Sequence, residues 1–248
     1  MELIERHDNG KLRSKAHAQD GKLEGEALLY DEQERVVQRA RYVGGLLDGE
    51  SILYGEGGQP VQRQTFHGGE LEGETAAYDE QGRLVLKAHF HKGLLHGDMQ
   101  LFIDGALRSR LTYAKGKLHG PLASYDEGGV EVVKGTNKDG KMSGDAIYRD
   151  SQGKLQRQAV FKDGKLHGEV TDYHPNGRPR ERGTYKNGQK DGEFRTYTED
   201  GTLQTKAYFK AGEPRGAPIE YDDKGNPKPA DDAANKSLMA KIAAKLGG

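Results

Sequence analysis

The chain has 248 residues, 33% of them hydrophobic and 31% charged, with 36 Gly and no Cys. Compact globules usually carry about 45–50% apolar residues, so the composition argues against a thick central core, and without Cys there are no disulfides, thiol catalysis or cysteine metal sites. Lys and Arg number 38 against 39 Asp and Glu, a balance that gives no global pull toward nucleic acid or an acidic membrane.

The opening, MELIERHDNGKLRS, holds no apolar run long enough for a signal peptide, and no 18-residue apolar stretch occurs anywhere. The expected localisation is cytoplasmic; a mature periplasmic form with its signal removed reads the same way. The chain then repeats itself. The second Gly of a G-x-L-x-G type of motif falls at Gly25, Gly49, Gly73, Gly97, Gly120, Gly144, Gly168, Gly192 and Gly216, at intervals of 24 residues with a single 23. A fixed period in this range marks a repeat architecture. The short interval comes from a trimmed turn, IDGA, around Asp104 and Gly105.

Each unit reads as a β-hairpin. Five residues after the anchor Gly stands Tyr30, Tyr54, Tyr78, Phe102, Tyr125, Tyr173, Tyr197 or Tyr221, with Arg149 the exception. A turn such as DEQG, HPNG or TEDG follows, rich in residues that accept positive φ. The returning strand carries a second aromatic seven residues before the next anchor: Tyr42, Phe66, Phe90, Tyr113, Phe161, Tyr185 and Phe209, with Ala18 and Asn137 breaking the column. Both half-units are too short for helices. The predicted fold is all-β: an elongated solenoid of about nine hairpin repeats over residues 1–225, whose neighbours bury the aromatic columns against each other. Two strands per unit predict an advance of about 10 Å per repeat and a rod or twisted groove of about 90 Å.

Residues 226–248 lose the pattern. KSLMAKIAAKLGG places Leu238, Ile242 and Leu246 four residues apart before a Gly stop, which predicts a short amphipathic helix after a linker. Its expected role is to cap the last strand; a partner or membrane contact is the alternative, since Lys236, Lys241 and Lys245 suit an anionic surface.

The succession G-x-L-x-G-E, Tyr, N-G, Tyr/Phe, N-G-K resembles the MORN repeat, and most closely the bacterial variant found in antitoxins of toxin–antitoxin systems. The resemblance covers nearly all of residues 1–225. It implies a β-hairpin solenoid acting as a binding module and, in the bacterial group, a protein that neutralises a toxin. Arg149 (with Tyr148 one place early), Asn137, Ala18 and Pro121 depart from the pattern, and the Trp common in the classical repeat is missing.

Residues that invite a catalytic reading fall into regular columns. His96, His119 and His167 precede anchor glycines, but equivalent positions lie about 10 Å apart, too far to share a zinc ion that needs ligands near ~2 Å. His89 and His91 share a strand face without a third ligand evident in the sequence, so no metal or cofactor is expected. Acidic residues follow the anchor at Glu26, Glu50, Glu74, Asp98, Asp145, Glu169 and Glu193. Glycosidase chemistry needs two carboxyls in different environments, and a regular exposed ladder gives every member the same one. Lys15, Arg39, Arg63, Lys87, Arg110, Lys134, Arg182 and Lys206 precede the second aromatic by three residues, with Gln158 the exception. Cross-strand pairing between these two columns is the simpler account than a phosphate-binding stripe. Phosphate-loop, dinucleotide and nucleophile-elbow motifs are all missing.

The expected function is therefore non-enzymatic: a module that binds a protein, of antitoxin or immunity type, with a toxin or effector as partner and no nucleic acid. A scaffold or membrane-surface module is the alternative. A binding site is expected where units depart from the common pattern, at the shortened turn of Asp104 and Gly105 and at Asn137, Tyr148 and Arg149, and along half-exposed members of the aromatic column, Phe102, Tyr125 and Tyr173, since Tyr and Arg dominate interface hot spots.

Overall fold

The computed structural model describes residues 1–229. The chain divides into two compact units, Met1–Gly120 and a second that starts at Pro121. Among the described residues there are twenty-two strands and no helix. The chain is all-β, as the period predicts. The helix expected over 236–248 lies outside the described residues.

The first unit is a run of antiparallel hairpins: Glu2–Arg6 with Leu12–Gln19, Gly25–Tyr30 with Val36–Val43, Leu46–Tyr54 with Pro60–His67, Glu70–Tyr78 with Leu84–His91, and Leu94–Ile103 with Ala106–Ala114. The second repeats the scheme in Gly144–Arg149 with Leu155–Lys162, Lys165–Tyr173 with Pro179–Lys186, and Gln189–Tyr197 with Leu203–Lys210. Register is constant. In seven hairpins the anchor Gly faces the second aromatic, among them Gly25 opposite Tyr42, Gly49 opposite Phe66 and Gly168 opposite Tyr185.

The period has a backbone cause. Between hairpins the chain makes two-residue turns in which both residues have positive φ, as at Asn187 (52°) and Gly188 (86°), the primed geometry that matches strand twist. The trimmed turn is of the same kind, with Asp104 at 52° and Gly105 at 77°, so the lost residue converts a longer turn into a tight one. The anchor glycines sit where pairing to the previous hairpin is interrupted, as between Ala40 and Tyr42 opposite Leu47 and Ser51. Gly49 there has φ 114°, and a Cβ would lie 3.0 Å from Arg41 Cδ. Conformation and close packing both require Gly.

Turns of successive hairpins are laced together. His7 Nε2 meets Tyr30 O at 3.0 Å and His174 Nε2 meets Tyr197 O at 2.8 Å. Arg35 Nη1 donates to Glu56 O at 2.9 Å and Gln59 Nε2 to Glu80 O at 3.1 Å. On the other edge, the side chain before several anchors accepts from the next turn's amide: Glu24 from Gly44, Asp48 from Gly68, Glu72 from Lys92, and Asp191 from Ala211.

The core differs from the expected stack of aromatics. The second-column rings are half-buried, while the fully buried positions are small: Ala40, Ala88, Ala146 and Ala159, with Ile52, Val170 and Phe194. The reason is geometric. Neighbouring strands about 4.8 Å apart cover an Ala completely but leave the outer edge of a ring uncovered unless the facing residue is very small, as Gly183 is opposite Phe194. The rows compensate in volume: Ala159 faces Val170, while Gly183 faces Phe194. On the opposite face Ile52, 1% exposed, lies between Arg39 and Arg63 on the neighbouring strands.

Candidate functional site

The two charged columns pair as expected. Arg39 reaches Glu50 at 3.3 Å, Arg63 reaches Glu50 at 3.0 Å, Lys87 reaches Glu74 at 2.8 Å, and Arg110 reaches Asp98 at 2.8 Å. In the second unit Arg182 meets Glu169 at 2.7 Å and Lys206 meets Glu193 at 2.8 Å. Apart from Lys206–Glu193, which is partly covered, these pairs are solvent-exposed and contribute little each, and they leave the basic column largely neutralised.

Several histidines have structural partners. His167 Nδ1 accepts the Asn187 amide, the role that carboxylates play in other repeats. His91 Nδ1 lies 2.9 Å from Glu72 and His67 Nδ1 3.0 Å from Asp48. The Lys92 amide and the His91 ring hold the Glu72 carboxyl below its usual range. Among the described residues no group of three or more His, Asp or Glu is arranged to hold a metal ion.

The expected binding residues separate. Phe102 is the penultimate residue of Leu94–Ile103 in the first unit and is half-buried. Tyr125 ends Lys117–Tyr125. Asn137 is 6% exposed, opposite Met142. Arg149 pairs with Glu131 at 3.3 Å. Tyr148 and Tyr173, however, come together on an open groove of about 570 Å³ in the second unit, lined also by Leu155, Arg157, Asp172, His174, Pro175 and Arg180.

The groove arises from one strand position. Four residues after the anchor the first unit carries Leu29, Leu53, Ala77 and Leu101, paired across hairpins with Gln38, Gln62 and Leu86. The second unit has Tyr148 and Asp172 in the same row, with Arg157 between them and Glu181 beyond. The exchanged order of Tyr148 and Arg149 matters here. The common aromatic sits one residue later, at the register shift that ends each hairpin strand, whereas Tyr148 lies directly opposite Arg157.

Electrostatics then fix the groove floor. Asp172, with its side chain 12% exposed, accepts from Arg157 Nε at 2.5 Å and Nη2 at 2.8 Å. That two-pronged contact raises the Arg157 pKa further. Arg180 Nη2 stands 4.0 Å from the same carboxylate and its side chain is 60% exposed. Tyr173 is held by its hydroxyl, which donates to Gln158 Oε1 at 2.6 Å. Gln158 thus replaces the column's usual cation with an acceptor that orients a groove residue. Arg157, Asp172 and Arg180 were not among the expected site residues. The signal for Asp172 was present in the change from Leu29, Leu53 and Leu101 to Tyr148 and Asp172 at one repeat position.

No curated protein sequence matches this chain. The crystal structures of TcdB2-TccC3, TcdB2-TccC3-TEV and TcdB2-TccC3-Cdc42 are similar at 12%, 15% and 11% identity over 89%, 88% and 96% of this chain. Their TM-scores are 0.23, 0.22 and 0.20, too low to carry a conclusion, and the match spans 14%, 14% and 16% of those chains. At the family level two consecutive stretches of the second unit, 166–187 and 190–211, match the MORN repeat variant.

Proposed function

We propose that this chain is a non-enzymatic protein-binding module of antitoxin or immunity type, acting in the cytoplasm by docking on a partner toxin and occluding it. The observation that carries the binding reading is the groove, lined by two tyrosines and two arginines, beside a row that holds only uncharged side chains in the first unit. Tyr and Arg are the residues that most often dominate protein interfaces. The MORN repeat match supports a binding module, since such repeats serve protein and membrane contacts in general. The antitoxin assignment rests on the resemblance to the bacterial variant. Pairing of the basic column with carboxylates weighs against the membrane-surface alternative.

The test is affinity purification of the tagged chain from its own cells, with mass spectrometry of stoichiometric partners. One co-eluting protein, lost on combining Tyr148→Ala with Tyr173→Ala, is the expected result, and rescue of cells expressing that partner tests neutralisation. Recovery of lipid without protein, or of many unrelated proteins, overturns the proposal.

A further inference from the structure

Resting on the protein-binding reading, we infer that the groove takes an acidic, apolar-flanked peptide segment of its partner, whose carboxylate binds Arg180. The inference comes from uneven pairing in a groove that holds two arginines and two aspartates. Both oxygens of Asp172 are occupied by Arg157. Arg180 approaches no nearer than 4.0 Å and makes no hydrogen bond among the described residues. The other groove carboxylate, Asp150, is committed to its own turn, where Oδ1 accepts the amides of Gln152 and Lys154 at 2.9 Å each. Glu181, next along the row, is held by Lys190 at 3.1 Å. One guanidinium therefore faces the groove with its donors unspent.

The surroundings define the rest of the ligand. A guanidinium offers planar, paired donors that match a carboxylate. Tyr148, Tyr173, Leu155 and Pro175 line the same groove and supply apolar contact on either side of that charge. A basic segment finds both oxygens of Asp172 already taken by Arg157 and meets the unpaired Arg180. A neutral one leaves Arg180 unpaired on desolvation.

The probe is a fluorescein-labelled hexapeptide alternating Glu and Leu, compared with its Gln-Leu and Lys-Leu counterparts by anisotropy, with amide shifts of the isotopically labelled full chain as the map. The Glu-Leu peptide is expected to bind about tenfold more tightly than the Gln-Leu peptide, to weaken with salt, and to shift Tyr148, Arg157, Tyr173 and Arg180. Arg180→Gln is expected to remove that tenfold preference while leaving the spectrum of the remaining strands unchanged. Equal binding of the two peptides, shifts that map elsewhere, or an unchanged preference in Arg180→Gln overturns the inference. The partner captured from cells separates the two levels. Capture that survives Arg180→Gln but fails in the double tyrosine variant refutes the acidic ligand and keeps the binding function; capture indifferent to both variants refutes both.

Discussion

Gly183 is the position at which core packing is most sharply testable. Its backbone does not need Gly, since its φ is not positive. What forbids a side chain is Phe194, directly across the sheet on the next hairpin. A Cβ on Gly183 would come inside contact distance of three ring carbons of Phe194, reaching Cγ at 2.5 Å, against about 3.5–4.0 Å for relaxed carbon contacts. The ring has little freedom to retreat. It meets Tyr185 edge-on at 5.3 Å and Phe209 edge-on at 5.2 Å, with Lys190 Nζ 4.2 Å over its face. Overpacking of this kind costs about 1–3 kcal/mol, offset by about 0.4–1 kcal/mol from the stiffer unfolded chain. Gly183→Ala is therefore expected to destabilise by about 1–2 kcal/mol. The adjacent hairpins already show the remedy, because Ala159 faces Val170 in the same row. Phe194→Val alone leaves a void, yet combined with Gly183→Ala it is expected to lose at least ~1 kcal/mol less than the sum of the single changes. Urea unfolding followed by Tyr fluorescence, with amide exchange over Pro179–Lys186 and Gln189–Tyr197, reads both quantities. A single variant within about 0.3 kcal/mol of the parent, or strict additivity in the pair, refutes the packing account.

Three further outcomes are expected. Thr75 Oγ1 is buried without a hydrogen-bond partner, so Thr75→Val is expected to raise stability by about 1 kcal/mol; a lower urea midpoint would show that the hydroxyl is satisfied. Glu193 is held at a pKa of about 2, against 4.5 for an ordinary Glu, by hydrogen bonds from Lys206 first and then Tyr208 and Arg195. A depressed carboxylate stabilises the fold above its unfolded pKa and loses that contribution as pH falls through its folded value. Stability is thus expected to drop between pH 4.5 and about 2, less steeply in Glu193→Gln, and parallel pH profiles for the two proteins would count against the assignment. Lys92 occupies a left-handed turn position with φ 51°, where Asn is better tolerated, so Lys92→Asn is expected to gain about 0.5 kcal/mol in a thermal melt, and a loss would mean that Lys92 makes a stabilising contact of its own.

The period, the hairpins and the charged ladder were legible in the chain because each depends on local rules. Glycine spacing sets the turns, alternation sets which residues share a face, and opposite charges one strand apart find each other without help from distant contacts. Arg39, Lys87 and Arg182 pair as their positions predicted. Two matters were decided only by tertiary structure. Burial fell on Ala40, Ala88 and Ala159 rather than on the aromatic columns, because cover depends on how much of each side chain the adjoining strands can reach. The groove, likewise, needs residues from three strands, Tyr148, Arg157 and Asp172, placed side by side by register. Whether Arg180 is neutralised there depends on which guanidinium reaches Asp172 first, and that is a matter of distances the order of residues does not contain.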